Sequence, residues 1–230
     1  MLGLLAFGGR MKNILLAGSS GLVGSLALNN LCADSDVGKI ILVSRTKQDI
    51  SNDKILQIIG SLDLLDTVKL SDYGIEHIYA GLCALGSTIK KAGGKEEFKK
   101  VDKDFVENVA MFAKKFGAKQ FAVISALGAD PKSSIFYNQV KGEMEEALKK
   151  FNFSKLTIIR PSLILGERKE VRSTESFFIK ISPFLNATLI GPLKKYRGIE
   201  AKKVASYLTS SIHKNTSGVI ILENAQLLNL

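Results

Sequence analysis

A tyrosine and a lysine in this chain are spaced for acid–base chemistry. Tyr137 and Lys141 are four positions apart in "FYNQVKGEMEEALKK" (136–150), a pattern that predicts an amphipathic helix with both side chains on one face. A free tyrosine has a pKa of about 10, and a neighbouring ammonium lowers it. Tyr137 could then exchange a proton with a carbonyl or an alcohol, while Ser125, at the end of a predicted strand, bonds the same oxygen. Because Y-x-x-x-K is a common accident in lysine-rich helices, this interpretation depends on the elements around it.

The elements that must position these side chains alternate along the chain. Continuous apolar runs predict buried strands over residues 13–18, 39–45, 76–85, 119–127 and 155–165, with a weaker candidate over 54–60. Amphipathic segments lie between them, for example one helix over 96–117, which ends at Gly117. Strands that alternate with helices predict an α/β fold of the Rossmann-like type, a doubly wound parallel sheet with helices on both faces. Such sheets bind ligands at the carboxyl ends of their strands.

A glycine-rich turn follows the first predicted strand. In "AGSSGLVGSLALNNL" (17–31), three glycines form a G-x-x-G-x-x-G turn that opens an apolar helix. Glycines let the backbone turn tightly and approach a pyrophosphate, and the helix N-terminus offers free N–H groups and a partial positive charge. Its place between a strand and a helix favours a dinucleotide-binding loop over a plain structural turn. The residues of this phosphate loop are Gly18, Ser19, Ser20, Gly21, Leu22, Val23 and Gly24.

The end of the second strand distinguishes between cofactors. An NAD site usually has an acidic residue there, which accepts hydrogen bonds from the ribose 2′-hydroxyl, whereas this chain has Ser44 and Arg45. A guanidinium would bind a 2′-phosphate, so NADP(H) is expected and NAD(H) is less favoured, unless Arg45 is only a solvent-facing strand end. Two further turns should contact the nucleotide, although the acid of the first could equally be an ordinary loop residue. These turns contain Asp63, Leu64, Leu85, Gly86 and Ser87.

Together, these motifs resemble the short-chain dehydrogenase/reductase superfamily in its atypical or extended branches. "GSSGLVG", Ser125, "YNQVK" and "RPSLILG" (160–166) carry the likeness, and "VISALGADPKSSIFYNQVKGEMEEAL" is similar to the Tat-interacting-protein-like atypical reductases. The likeness runs from about residue 12 to about residue 205. It implies a Rossmann-like fold, an NADP(H) preference and a Ser-Tyr-Lys catalytic set at Ser125, Tyr137 and Lys141, with Lys141 also holding a ribose hydroxyl. It further implies a loop bordering the nicotinamide and a helix asparagine, which correspond to Pro161, Ser162, Leu163 and Asn108.

Composition narrows the function classes. The chain carries 32 Lys and Arg against 22 Asp and Glu, a net charge of +10, but the lysines are scattered in pairs on or beside predicted helices. A solvated surface is therefore favoured over a nucleic-acid patch. The 2 cysteines and 2 histidines have no metal-ligand spacing, so no metal site is expected and the cytoplasm is the simplest location. No apolar run approaches the roughly 20 residues that span a bilayer, so no membrane partner is expected.

The chain is interpreted as one domain that follows a short leader. Residues 1–10 ("MLGLLAFGGR") are taken as a leader or an over-extended start. Residues 11–230 are taken as a single NAD(P)-binding domain, in which residues 166–212 form most of the substrate side. Arg168, Arg172 and Arg197 could meet an anionic substrate there, although surface placement is the default. A monomer and a homodimer are both open.

Two function classes follow from these observations. The leading hypothesis is an NADP(H)-dependent oxidoreductase of short-chain dehydrogenase/reductase type, which transfers a hydride between the nicotinamide and a small carbonyl or alcohol. The alternative is a non-catalytic NADP(H)-binding regulatory or redox-sensing protein that acts through a protein partner. The small C-terminal section motivates this alternative, because only 64 residues follow Gly166.

Overall fold

A parallel seven-stranded sheet forms the centre of the computed structural model, which describes residues 11–166 and 191–229. Its strands are β1 (Lys12–Ala17), β2 (Val37–Ser44), β3 (Ile55–Ile59), β4 (Ala80–Cys83), β5 (Gln120–Ile124), β6 (Lys155–Arg160) and β9 (Gly218–Glu223). Their order is β3-β2-β1-β4-β5-β6-β9. The first six strands follow the 3-2-1-4-5-6 order of the doubly wound dinucleotide-binding fold. The predicted fold class is therefore confirmed.

Helices cover both faces of this sheet. They are α1 (Leu22–Ala33), α2 (Ile89–Ala92), α3 (Lys95–Lys99), α4 (Phe105–Lys115), α5 (Phe136–Lys150), α6 (Ala201–Ser210) and α7 (Asn224–Asn229). Alternate residues of β1 enter two separate cores: Ile14 and Leu16 pack with α1 and α6, whereas Leu15 and Ala17 pack on the side of α4 and α5. The continuous apolar strands of the sequence are explained by this double coverage.

The helix predicted over 96–117 is interrupted. It consists of α3, a π-helical turn (Lys100–Asp104) and α4. The π turn was not predicted, because the 3.6-residue period of the apolar side chains does not reveal a single wider turn. Asp102, in the π turn, is completely buried. The predicted end is correct, since Gly117 has a φ of 85° and ends the helical segment in the left-handed conformation that glycine favours.

Two features near the C-terminus differ from the prediction. Strand β9 was not predicted, although it lies beside β6 and ends at the same edge of the sheet. The strand predicted over 155–165 is two strands, because after β6 the chain leaves the sheet and forms β7 (Ile164–Leu165), which pairs with β8 (Ile199–Glu200).

Some expectations lie outside the described residues. These are the leader over 1–10 and, within the substrate side, Arg168 and Arg172. Within residues 11–166 and 191–229, no helix is long and apolar enough to cross a membrane.

Candidate functional site

The carboxyl ends of the strands bring the predicted site loops to one edge of the sheet. Ala17, the last residue of β1, pairs with Val43 on one side and with Cys83 on the other. Ile124, the last residue of β5, pairs with Ile159 of β6. The loops that follow β1, β2, β4, β5 and β6 therefore all begin at this edge, which is where a doubly wound sheet binds its ligand.

The phosphate loop has the geometry of a backbone cradle. Gly18 has a φ of 85°, and a Cβ placed there would lie 2.6 Å from the carbonyl carbon of Ala84. A Cβ on Gly24 would lie 1.9 Å from the carbonyl oxygen of Gly18. Helix α1 begins directly after Gly21 and has no acidic residue in its first turn, so its N–H groups and positive end are available to an anion. These residues fit a dinucleotide pyrophosphate.

The other predicted cofactor residues lie at the same edge of the sheet, and they differ in exposure and in bonding partners. Ser44, at the end of β2, donates its hydroxyl to the carbonyl of Thr46 over 2.8 Å, and Arg45 is exposed. Asp63 is exposed on a 3-10 helix and pairs with Lys100 over 2.9 Å, which lowers the pKa of the Asp63 carboxyl. The next residue, Leu64, is 59% exposed.

Ser125, Tyr137 and Lys141 lie on the two elements that meet beyond β5. Ser125 directly follows the strand and is 4% exposed. Tyr137 and Lys141 are in the first half of α5, and the lysine is buried whereas the tyrosine is half-buried. The Tyr137 ring packs against Phe98 of α3, with ring centroids 5.4 Å apart. The predicted spacing on one helix face is therefore present.

Asp102 is a site residue that the sequence analysis missed. Its Oδ1 lies 2.7 Å from Nζ of Lys141, and its Oδ2 accepts a hydrogen bond of 2.8 Å from the backbone N–H of Ser87. Burial disfavours the Lys141 ammonium, but the Asp102 carboxylate and the Tyr137 phenolate oppose this effect, and the pKa of Lys141 is raised above its ordinary value. One carboxylate thus holds both the loop after β4 and the candidate catalytic lysine.

The helix asparagine suggested by the resemblance points elsewhere. Asn108 donates its amide to the carbonyl of Leu62 over 3.2 Å. From the α3–α4 segment it is Asp102, six residues earlier, that reaches Lys141. The only sequence signal for Asp102 as the partner of Lys141 was the presence of an acidic residue on the inward, apolar face of the predicted helix.

Ser125 is held by a second buried group that the sequence analysis missed. Its hydroxyl donates to Oε1 of Glu145 over 2.5 Å. Arg160, the last residue of β6, donates to both carboxylate oxygens of Glu145, from Nε over 2.9 Å and from NH2 over 2.5 Å, and to Glu223 over 2.8 Å. These bonds raise the pKa of Arg160 above its ordinary value, with the bond to Glu145 as the main cause. Glu145 is therefore an acceptor, and the Ser125 oxygen keeps its own lone pairs for accepting a hydrogen bond.

The loop predicted to border the nicotinamide is anchored by the segment before β8 and by Asn224, the first residue of α7. Pro161 is buried, Leu163 is 37% exposed, and the Ser162 hydroxyl donates to the carbonyl of Arg197. The Ser162 N–H donates to Oδ1 of Asn224 over 3.0 Å. The completely buried Asn224 amide donates in turn to the carbonyls of residues 195 and 197, both over 2.9 Å. This loop is thus fixed by backbone and side-chain bonds together.

Comparison with known proteins identifies relatives over most of the chain. No protein-family model matches it. Protein HTATIP2 from Rattus norvegicus is 33% identical over 166 residues, which are 71% of this chain and 67% of that protein. The mitochondrial protein FMP52 from Meyerozyma guilliermondii is 32% identical over 219 residues, which are 92% of this chain and 91% of that protein.

Solved structures share the fold at low identity. The Bordetella bronchiseptica enzyme WbmG, in complex with NAD, has a TM-score of 0.68 at 14% identity and covers 96% of this chain and 74% of its own. The UDP-glucose 4-epimerase of Thermotoga maritima, with UDP-glucose, has a TM-score of 0.66 at 18% identity and covers 92% of this chain and 76% of its own. At these identities the likeness establishes the Rossmann-type fold alone.

The relatives contradict the expected location of the protein and identify its family. The cytoplasmic location expected from the cysteine content is contradicted, because the FMP52 relatives from Emericella nidulans and Meyerozyma guilliermondii are named as mitochondrial proteins. Low cysteine content does not separate the cytoplasm from other reducing compartments. The resemblance found in the sequence is confirmed: the chain belongs to the atypical short-chain dehydrogenase/reductase superfamily, with HTATIP2 and FMP52 as its relatives.

Proposed function

We propose that this protein is an NADP(H)-dependent oxidoreductase that transfers a hydride between the nicotinamide and a small carbonyl or alcohol. The observation that carries the proposal is the placement of Tyr137 one helical turn from a buried Lys141 ammonium, with Ser125 at the end of the adjacent strand. When bound, the nicotinamide would supply the hydride chemistry. The protein's own residues bind the cofactor, orient the substrate and move the proton.

Tyr137 is the proton-transfer group in this proposal. In alcohol oxidation its phenolate would accept the hydroxyl proton, and in reduction its hydroxyl would return the proton to the carbonyl oxygen. The Lys141 ammonium stabilises the phenolate by its charge. Asp102 keeps that ammonium charged although it is buried, since its carboxylate compensates the cost of burial. Asp102 is therefore a positioning residue that acts through Lys141.

Ser125 accepts a hydrogen bond in this site. Its own hydrogen is donated to Glu145, which Arg160 holds in a bidentate pair. The lone pairs that remain can accept the hydrogen of the Tyr137 hydroxyl before Tyr137 donates it to a carbonyl, so Ser125 orients the Tyr137 hydroxyl. Glu145 and Arg160 thus position Ser125 rather than contact the substrate.

The phosphate loop supports binding of a dinucleotide, and Arg45 supports the phosphorylated form. The close backbone approaches at Gly18 and Gly24 require glycine at both positions and keep the loop in a tight turn, as in loops that bind a pyrophosphate. Arg45 is exposed directly after the end of β2, and its guanidinium would bind a ribose 2′-phosphate. Ser87 and Gly86, held by Asp102, would line the same nucleotide.

The test is NADPH consumption with a panel of small aldehydes and ketones, for the wild type and Tyr137→Phe. The phenylalanine keeps the ring against Phe98 and removes only the hydroxyl, so NADPH binding should be unchanged while turnover falls at least about 100-fold. A matched control is Tyr73→Phe, because Tyr73 is an exposed tyrosine in the 3-10 helix Leu70–Tyr73. Equal turnover in Tyr137→Phe and the wild type would refute the role of Tyr137.

Mitochondria are the location that we propose to examine first. The names of the FMP52 relatives, which describe those proteins as mitochondrial, support this proposal. Fractionation of source cells with an antibody to this protein would decide it, and a signal confined to the soluble cytoplasm would exclude it.

A further inference from the structure

Gln48 connects the loop after β2 with the phosphate loop. Its Nε2 donates a hydrogen bond of 2.6 Å to Oγ of Ser19. The Ser19 side chain is buried, with 2% of the residue exposed, and Gln48 is half-buried. Because Ser19 accepts this bond, its own hydroxyl hydrogen remains available to an acceptor such as a phosphate oxygen.

The position of Gln48 is fixed by its neighbours. Its backbone N–H donates to Oε1 of Gln57 over 2.8 Å, and Nε2 of Gln57 donates back to the Gln48 carbonyl over 2.9 Å. Gln57 is in the middle of β3, paired with Leu42 of β2. The Gln48 backbone is therefore held by a residue of the sheet, and its side chain extends from this fixed backbone to Ser19.

The amide stands where dinucleotide sites distinguish their cofactors. In doubly wound folds the adenine ribose lies between the ends of the first two strands, and a carboxylate from the end of the second strand accepts hydrogen bonds from the 2′-hydroxyl. Here Ser44 and Arg45 stand at the strand end, and the side chain that reaches the phosphate loop from the loop after β2 is the neutral amide of Gln48. A carboxylate at this position would repel a 2′-phosphate, whereas a neutral amide exerts no such repulsion.

We propose that Gln48 is a specificity-determining residue, which together with Ser19 admits the 2′-phosphate of NADP(H) because it carries no charge. The inference rests on the proposed NADP(H) function and goes beyond it. Arg45 attracts the 2′-phosphate, whereas the neutral Gln48 lacks the charge by which the carboxylate of an NAD site repels that phosphate.

The experiment measures the dissociation constants of NADPH and NADH, by nicotinamide fluorescence, for the wild type and Gln48→Glu. The substitution has nearly the same shape, and Ser19 can donate to the new carboxylate, so the fold should persist and the unfolding temperature should be unchanged. The ratio of NADPH to NADH affinity should fall at least about tenfold, mainly through weaker NADPH binding. The matched control is Asn30→Asp, an amide-to-acid change on α1 at a residue that bonds Thr209, and it should leave the ratio unchanged.

A second variant separates charge from contact. Gln48→Ala removes the bond to Ser19 without adding charge, so it should weaken both cofactors similarly and preserve the ratio. An unchanged ratio in Gln48→Glu, or an equal loss of ratio in Gln48→Ala, overturns the inference while leaving the proposed function in place. A wild type that binds neither dinucleotide overturns the proposed function and the inference together.

Discussion

Asp102 and Lys141 form an ion pair of 2.7 Å in which both side chains are almost completely buried, 1% and 3% exposed. The pair joins the π turn between α3 and α4 to helix α5. Since Oδ2 of Asp102 also accepts the Ser87 N–H, the pair connects the candidate catalytic helix to the loop after β4. A buried ion pair contributes little net stability compared with apolar residues of similar volume, so its retention here fits a role in the site.

Removal of one partner of this pair should be strongly destabilising. Asp102→Ala leaves the Lys141 ammonium buried without a counter-charge, and the free energy of unfolding should fall by about 3–5 kcal/mol. The double variant Asp102→Leu with Lys141→Met removes both charges and should recover most of that loss. Urea unfolding of the wild type and both variants measures this. A loss below about 1 kcal/mol in Asp102→Ala would mean that the lysine has another partner.

The phosphate loop should tolerate no side chain at Gly24. In Gly24→Ala the new Cβ would lie 1.9 Å from the Gly18 carbonyl oxygen, so the loop must shift and NADPH binding should be lost. The cost of overpacking should be about 1–3 kcal/mol of unfolding free energy. Gly60→Ala is the control, because a Cβ there meets nothing within 4 Å. Isothermal titration with NADPH should show wild-type affinity for the control, and wild-type affinity in Gly24→Ala would disprove the cradle.

The thiol of Cys83 should make stability sensitive to alkaline pH. Burial raises the pKa of Cys83 from 9.0 to about 12. The unfolded chain therefore loses this proton at a lower pH than the native state does. The stabilisation that the protonated thiol gives to the native state is complete below pH 9.0, and it is lost as the pH rises towards about 12. Over that window the free energy of unfolding should decline by up to about 1.4 kcal/mol per pH unit from this group.

Comparison of Cys83→Ala with the wild type isolates this contribution. The variant loses some stability at every pH because it opens a cavity, but its decline between pH 9 and pH 12 should be shallower. Urea unfolding at several pH values gives the two slopes. Parallel slopes would mean that the thiol does not titrate as its burial requires.

Arg45 should determine the affinity for the phosphorylated cofactor. Arg45→Ala removes the charge-assisted hydrogen bonds to a 2′-phosphate, and NADPH affinity should fall about 10- to 100-fold while NADH affinity is unchanged. Arg45→Lys keeps the charge but not the planar fork, so it should be intermediate. Fluorescence titration at constant ionic strength checks this. Equal losses for the two cofactors would place Arg45 away from the 2′-phosphate.

The local pattern of the sequence was sufficient to predict the fold class and the order of the site loops along the chain. Strands such as β1 and β2 are continuous apolar runs, and the phosphate loop lies where a strand gives way to a helix, so both are visible in short windows. Strand β9 was missed because its edge position leaves residues such as Val219 51% exposed. Its place beside β6 is a long-range property.

The partners of the candidate catalytic residues could not be predicted from the sequence. Asp102 is 39 positions from Lys141, and Glu145 is 15 positions from Arg160, so neither pair follows from local spacing. The π turn that brings Asp102 inward breaks the helical period used to predict one helix. A buried acid among apolar positions was the available signal, and it becomes informative only when the opposite charge is located in space.

The most direct measurement follows the hydride itself. Wild-type protein and Tyr137→Phe are incubated with NADPH carrying deuterium at the transferable position and with each carbonyl of the panel, and the products are analysed by mass spectrometry. The account predicts an alcohol that carries the deuterium with the wild type and none with Tyr137→Phe after the same time. Tight NADPH binding with no labelled product from any carbonyl would contradict an oxidoreductase and support a non-catalytic NADP(H)-binding protein.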